Sequence, residues 1–260
     1  MSTISGIINA SSDIGNAALS PIIQFLLAKG GIAFAVLILS IPTLSLIPIC
    51  FFVGRNKKVD INKNNFEKNS IKDVFIKAFK DKTYILLIIG FFTCGFHMAL
   101  IMNHLPKQFI FHGISPQTSS YAFALYGIIT IIGSIISGSL CDKYKMKNVL
   151  GSFYGARVII IVLFLILPKT IFVIFAFASL LGFTGMSTVP PVSGIINLKF
   201  GAKYIAILYG LVFFIHQIGA FFGAYLGGVL FEKFSSYNPI WTVNIFLCAL
   251  ASIVSFMIKD

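Results

Sequence analysis

Long apolar stretches separated by short polar gaps are the dominant pattern of this chain. No Asp, Glu, Lys or Arg occurs in the ranges 83–106, 170–198, 204–231 and 234–258. A helix at the surface of a soluble protein is polar on one side, whereas a helix that faces lipid can be apolar all round. Because about 20 helical residues span the ~30 Å of hydrocarbon in a bilayer, each stretch is long enough to cross a membrane.

The pattern predicts an all-α polytopic membrane protein with eight transmembrane helices. Their expected ranges are residues 4–27, 31–53, 83–104, 118–140, 148–168, 171–195, 204–230 and 238–257. The composition agrees, since 57% of the residues are hydrophobic and 11% are charged, against about 25% charged in an ordinary soluble domain. Pro190 and Pro191 fall within the sixth crossing. Because proline supplies no N–H, we expect this helix to bend or break there.

The basic residues indicate which loops share a side of the membrane. Of the 20 Lys and Arg residues, 15 lie in the segment 54–82, the loops 141–147 and 196–203, and the C-terminus; four lie in the opposite loops, and Arg157 lies inside a crossing. Loops rich in Lys and Arg stay in the cytoplasm. We therefore expect a multi-pass protein of the inner (plasma) membrane with a cytoplasmic linker and C-terminus. The net charge of +12 is then a topology signal and does not indicate a nucleic-acid partner.

The crossings divide the chain into three parts. Residues 1–53 hold two crossings, residues 54–82 form a basic linker, and residues 83–260 hold six crossings. After Ser70 the linker has apolar residues at helical spacing, with lysines on the other side. They are Ile71, Val74, Phe75, Ala78 and Phe79. This pattern predicts a short amphipathic helix at the membrane surface.

Small residues recur at helical spacing in the seventh crossing. Gly219, Gly223 and Gly227 are each four positions apart. Small residues at this spacing let two helix backbones approach closely within a membrane. We therefore expect these glycines to form a helix-packing face.

A short motif follows the fourth crossing. It reads Gly138-Ser-Leu-Cys-Asp142-Lys143, and its basic cluster continues to Lys147. This arrangement resembles the loop signature of the major facilitator superfamily. By that resemblance the glycine allows tight packing at the helix end, and the Asp accepts hydrogen bonds from the N-terminus of a neighbouring helix.

The resemblance extends along the chain. Residues 14–21 resemble the fifth helix of this family, residues 95–106 resemble helix 7, and residues 216–228 resemble helix 11 of its monocarboxylate- and oxalate/formate-like bacterial members. This implies a major-facilitator-type helical bundle that contains only helices 5 to 12 of the usual twelve, an incomplete N-terminal half and a complete C-terminal half. Helices 1 to 4 are then expected in a parent chain, of which this sequence is a fragment, or in a separate polypeptide.

The family resemblance implies secondary transport by alternating access between two pseudo-symmetric halves. Small organic anions such as monocarboxylates are the favoured substrates, because the predicted crossings after the linker contain Arg157 and histidines but no acidic residue. An arginine at that depth is costly and needs a partner. The candidate substrate-binding residues are Arg157, His97, His104, Asn103, His216, Gln217, Thr184 and Thr188.

Five of these candidates also have a structural interpretation. Arg157 could pair with Asp13 or with backbone carbonyls, and His104 could be solvated near a membrane surface. His216 could bond across a tight helix contact. The hydroxyls of Thr184 and Thr188 could bond their own helix backbone.

Two other functions fit the pattern, namely a drug or metabolite efflux facilitator and a non-transporting membrane subunit. A buried acid in the missing helices would favour the first. Co-purification with a four-helix partner, without uptake, would favour the second. The sequence shows no metalloprotease, phosphate-loop or nucleophile-elbow motif, so we expect no catalytic residues, metal or cofactor. The partners expected are a small, anionic substrate and the lipid bilayer.

Overall fold

A computed structural model describes residues 2–55 and 71–259, and over that part of the chain it consists of helices joined by short connections. The helices are α1 (Ser2–Arg55), α2 (Ile71–Lys80), α3 (Lys82–Phe111), α4 (Pro116–Lys143), α5 (Met146–Ile166), α6 (Ile171–Gly185), α7 (Val189–Phe200), α8 (Ile205–Phe234) and α9 (Asn238–Phe256), with a 3₁₀ turn (Met186–Thr188) between α6 and α7. Seven stretches of the described residues are long and apolar enough to cross a membrane: Ala18–Pro42 within α1, the helices α3, α4, α5, α8 and α9, and α6 through α7. The prediction of an all-α polytopic membrane protein is confirmed, with seven candidate crossings among the described residues where the sequence predicts eight.

The first two predicted crossings lie within α1, on either side of Gly31. This glycine has φ 71° and ψ −172°, a left-handed φ that glycine adopts at little cost. The helix is therefore interrupted where the sequence predicts the gap between the two crossings. After the break, Ile32, Leu37 and Ile41 are 76%, 66% and 63% exposed, so this part of α1 presents an apolar face that nothing in the described chain covers.

The amphipathic helix predicted in the linker is α2. Its Val74 and Ala78 are buried against the core of the bundle, whereas Ile76 and Phe79 are exposed. The helix thus packs one apolar face on protein and leaves a second apolar edge uncovered. Residues 56–70 of the predicted linker lie outside the described residues.

The helices after the linker pack as two interleaved triplets. Counting α6 and α7 as one broken helix, the first triplet is α3, α4 and α5, and the second is α6–α7, α8 and α9. Helix α3 packs on α8, α4 packs on α6, and α5 packs on α9. The first helix of each triplet therefore packs on the second helix of the other, and the third helices pack on each other. A two-fold axis between the triplets produces this arrangement. Helix α1 packs mainly on α4, where the Ser20 hydroxyl donates to the carbonyl of Ser120 at 3.2 Å.

The contact between α3 and α8 is built on glycine. A β-carbon added at Gly219 or Gly223 would overlap the carbonyl oxygen of Phe92 or Phe96 on α3, and one added at Gly227 would overlap the His104 ring. The face predicted from the spacing of these glycines therefore lies against a neighbouring backbone.

The sixth predicted crossing is broken, as its two prolines suggest. The α-helical hydrogen-bond pattern stops at Gly185, passes through the 3₁₀ turn and resumes in α7 at Val189. Pro190 and Pro191 lie in the first turn of α7, where a missing N–H removes no helical hydrogen bond. The break therefore precedes the prolines, and it places polar backbone groups in the middle of the bundle.

Candidate functional site

A buried polar cluster surrounds the break between α6 and α7. We call it the Arg157 cluster; it consists of Arg157, Cys94, Thr188 and the backbone carbonyls of Thr184 and Gly185. The side chains of Arg157, Cys94 and Thr188 are fully buried. They come from α5, α3 and the 3₁₀ turn respectively, so that three separate elements converge on this point.

Arg157 is bonded to the end of α6. Its Nη2 donates to the carbonyl oxygens of Thr184 and Gly185 at 2.6 and 2.7 Å, and lies 3.5 Å from Oγ1 of Thr188. The carbonyl end of a helix carries partial negative charge and therefore attracts a cation. The Tyr154 ring lies 5.0 Å from the guanidinium carbon, a distance at which a cation is attracted to an aromatic face. This geometry matches the structural interpretation in which Arg157 binds backbone carbonyls. Asp13, the other partner considered, lies in α1, but its side chain is not among those that the structure describes.

These contacts leave Arg157 incompletely satisfied. Its Nε and Nη1 are buried and have no hydrogen-bond partner among the described residues. An unpaired buried donor is costly, and more so when it carries charge. None of the described Asp or Glu side chains is buried. Within the described part of the bundle, the cluster is therefore a positive site without a neutralising carboxylate.

His97 has a separate buried partner. The amide Nδ2 of Asn244, on α9, lies 2.8 Å from Nδ1 of His97. Since that amide nitrogen can only donate, Nδ1 accepts and the proton of the neutral ring is on Nε2. This Nε2 is buried and has no partner among the described residues. His97 is therefore a second buried donor site on the same helix as Cys94, one turn away.

His104 and Asn103 lie further along α3 and do not join the Arg157 cluster. Nε2 of His104 donates to the carbonyl of Ala224 on α8 at 2.9 Å, and its ring occupies the space left by Gly227. The amide of Asn103 donates to the carbonyl of Ala99 in its own helix, and the residue is exposed. His104 is thus part of the contact between α3 and α8.

His216 and Gln217 form an accessible polar pair on α8. Nδ1 of His216 lies 3.0 Å from Oε1 of Gln217, and the His216 ring packs against Phe91 and Phe213 with centroids 5.0 and 5.1 Å apart. His216 is half-buried and Gln217 is exposed. Unlike Arg157 and His97, this pair can be reached from outside the described bundle without any movement of the helices.

The two threonines contribute in different ways. The Thr184 hydroxyl donates to the carbonyl of Leu181 in its own helix at 3.1 Å, and only its backbone oxygen meets Arg157. The Thr188 hydroxyl lies 3.2 Å from Sγ of Cys94 as well as near Arg157. Of the predicted site residues, the structure therefore brings together Arg157, Thr184 and Thr188.

The residues of the loop motif lie at the end of α4 and the start of α5. Gly138 is buried, and Asp142 and Lys143 are exposed. Lys147 donates from Nζ to the carbonyl of Ile258 at 2.9 Å, so that this loop is tied to the end of the chain. The predicted hydrogen bonds of Asp142 to a helix N-terminus stay a prediction.

Three residues of this region were not among the sequence candidates. Cys94, Tyr154 and Asn244 contact Thr188, Arg157 and His97 respectively. Asn244 is a fully buried amide in the interior of a crossing whose other interior polar side chains are hydroxyls, and that contrast is the signal that could have identified it. Cys94 and Tyr154 resemble ordinary apolar core residues in the sequence and carry no such signal.

An ion pair joins α3 to α7 at one end of the bundle. Oδ1 of Asp81 lies 2.9 Å from Nζ of Lys199 and accepts hydrogen bonds from the amides of Thr83 and Tyr84 at the start of α3. Burial raises the pKa of the Asp81 carboxyl, but the Lys199 ammonium and the two amides outweigh it, so that the pKa lies below its usual value. Both residues lie in the loops predicted to be cytoplasmic.

Comparison with known proteins gives matches to a single family along the whole chain. The family model for the Major Facilitator Superfamily matches residues 2–224 and, in a second placement, residues 111–260. The chain is 27% identical to an uncharacterized MFS-type transporter, YcxA, of Bacillus subtilis, over 66% of this chain and 43% of that protein. It is 21% identical to Monocarboxylate transporter 12-B of Danio rerio, over 97% of this chain and 60% of that protein. The chain thus covers about half the length of these two relatives. With its helical bundle and its membrane-spanning helices, it belongs to the major facilitator superfamily.

Proposed function

We propose that this chain forms part of a secondary active transporter that moves small organic anions, of the monocarboxylate class, by alternating access. The observation that carries the proposal is the buried guanidinium of Arg157, which keeps two unpaired donor atoms in a region where no described carboxylate is buried. A cationic substrate would be repelled from such a region, whereas an anion would supply the missing acceptors. The name of the Danio rerio relative supports the same substrate class.

The route of the substrate is proposed to begin at His216 and Gln217. These side chains are accessible, whereas Arg157 is enclosed. A carboxylate held near His216 would lie on α8, against the face of α3 that carries Phe91 and Cys94. In the proposed mechanism, movement of the broken helix α6–α7 exposes Nε and Nη1 of Arg157 to the anion. Broken helices at membrane depth are tolerated where they line a cavity, and in this mechanism the 3₁₀ turn lines the cavity that opens beside Arg157.

Four further helices are proposed to complete the transporter, either in a parent chain or in a separate polypeptide. Two observations support this. The chain covers 43% and 60% of the lengths of its relatives, and the segment of α1 after Gly31 exposes Ile32, Leu37 and Ile41. A face of that kind would pack against the missing helices. A cavity of about 400 Å³ lies between α1, α3 and α4 and is lined in part by Ser20, Gln24 and Ser119. In the proposed complete transporter it would lie between the two halves.

The proposal is tested with the complete transporter in liposomes. We expect uptake of a labelled monocarboxylate such as lactate, and little uptake of lactamide, which has the same size but no charge. Arg157→Gln should abolish lactate binding, and Arg157→Lys should restore it only in part, because an ammonium lacks the planar fork of guanidinium. Thermal stability of each variant separates loss of binding from loss of folding.

Two results would contradict this reasoning. Normal lactate binding by a folded Arg157→Gln protein would leave Arg157 with a structural role only, at the end of α6. Equal transport of lactate and lactamide would show that the substrate is not selected by its charge.

A further inference from the structure

A deep groove runs along the outside of the bundle between α4, α5 and α6. Its volume is about 850 Å³, and its lining includes Lys143 and Lys145 at one end and Val149, Phe153, Ile160 and Leu180 along its walls. We call it the α5 groove. Volumes of this size are typical of sites that enclose a small organic molecule. The α5 groove reaches the Arg157 cluster only at Thr184, which lines the groove; Arg157 itself is fully buried and does not line it.

The groove opens toward the surrounding membrane. Ile159 and Leu163 on α5 are 62% and 48% exposed, and Leu180 on α6 is 48% exposed. These side chains lie within helices that are long and apolar enough to cross a membrane, so the medium that reaches them is hydrocarbon. An occupant that enters from the side must therefore have an apolar body.

The groove is long enough to hold an acyl chain of one lipid leaflet. At a rise of about 1.5 Å per residue, the α5 wall from Val149 to Leu163 is about 21 Å long. Half of the hydrocarbon thickness of a bilayer is about 15 Å. The wall is therefore longer than one leaflet, and an acyl chain that starts at Val149 reaches about as far as Ile159.

The polar end of the groove is basic. Lys143 and Lys145 line it together with Asn148 and Ser152, which add an amide and a hydroxyl. Two ammonium groups and two neutral hydrogen-bonding groups complement a phosphate that carries a negative charge.

We propose that the α5 groove is a binding site for an anionic phospholipid from the leaflet on the side of the α4–α5 loop. The phosphate lies between Lys143 and Lys145, and one acyl chain lies along Val149, Phe153 and Ile160. The inference does not depend on the transported substrate, and it holds or fails whatever Arg157 binds.

The test uses the full chain in vesicles and the quenching of tryptophan by brominated lipid. The chain has one tryptophan, Trp241, which is buried and gives a constant background. A reporter is placed in the groove by Ile159→Trp. The matched control is Phe246→Trp, since Phe246 is 72% exposed at similar depth on α9. Each protein is placed in phosphatidylcholine vesicles with increasing phosphatidylglycerol, one of the two lipids being brominated.

At the groove reporter we expect phosphatidylglycerol to be preferred over phosphatidylcholine by about fivefold or more, the effect of one or two lysines beside an anionic headgroup. At the control reporter we expect a ratio near one. The double variant Lys143→Gln, Lys145→Gln should reduce the groove ratio to that of the control, whereas Lys203→Gln, in another loop, should leave it unchanged.

Three results would overturn the proposal. The first is an equal lipid ratio at the two reporters, and the second is a preference that persists in the double lysine variant. The third is a groove reporter shielded from both lipids, which would indicate that a second copy of the chain covers this face. Circular dichroism of each variant shows that the folded protein is being compared.

Discussion

Replacement of Gly223 by alanine tests the packing of α8 on α3 most directly. A β-carbon at this position would overlap the carbonyl oxygen of Phe96 and lie 2.9 Å from its carbonyl carbon. These are backbone atoms, which cannot move unless the whole helix moves. Overpacking of this kind costs about 1–3 kcal/mol, partly offset by the gain of about 1 kcal/mol that alanine brings to a helix in place of glycine.

Gly228 provides the matched control on the same helix. No atom lies within 4 Å of a β-carbon added there, so that Gly228→Ala should give the helix gain without the packing cost. The two variants should therefore differ in free energy of unfolding by about 1–3 kcal/mol. A difference of 2 kcal/mol corresponds to roughly 4–8 °C in melting temperature for a chain of this size.

The measurement is thermal unfolding of both variants and of the unaltered chain in the same detergent. We expect Gly223→Ala to melt below Gly228→Ala by several degrees. Equal melting temperatures would mean that Gly223 does not lie against α3 in the folded protein, and a higher one for Gly223→Ala would refute the packing argument altogether.

Three further predictions concern the charged ends of the bundle. The folded-state pKa of Asp81 lies below its usual value of about 4, so its ion pair with Lys199 stabilises the fold at neutral pH and is lost as the pH falls through that pKa. The difference in melting temperature between the unaltered chain and Asp81→Asn should therefore disappear in acid. A difference that stays constant with pH would show that this ion pair does not stabilise the fold. A cysteine at Asn64 should be protected from an impermeant thiol reagent in intact cells while one at Ser236 reacts, and the opposite labelling would reverse the proposed topology. In the complete transporter, Asp142→Asn should slow transport more than it weakens substrate binding. An unchanged transport rate would show that the loop motif that begins at Gly138 has no role in transport.

The helical architecture followed from the sequence because its signals are local. Stretches without charge marked the crossings, and Pro190 with Pro191 marked the break in the sixth. The glycine spacing of α8 indicated a packing face, but it could not indicate that α3 is the partner. Only the three-dimensional structure shows that α8 packs on α3.

The partners of the buried polar groups could not be predicted in the same way. Arg157 meets carbonyls 27 and 28 residues away, and His97 meets Asn244 across 147 residues. Such pairs depend on how helices are arranged around one another, and no local spacing records that arrangement. The sequence could state only that an arginine at this depth needs a partner, and the described structure supplies carbonyls for one of its three nitrogens.

The glycine contact between α3 and α8 has a consequence for the way the chain is made. Gly95 on α3 lies against His216 on α8, and these residues are separated by about 120 positions, which take roughly 6–24 s to synthesise at 5–20 residues per second. During that interval α3 has already entered the membrane while its partner does not yet exist. The face of α3 that carries Gly95 must be covered by lipid, or by the insertion machinery, until α8 arrives. Substitutions at this contact would therefore be exposed to quality control before the protein is complete, and their effect on its abundance in cells would exceed their effect on the stability of the finished fold.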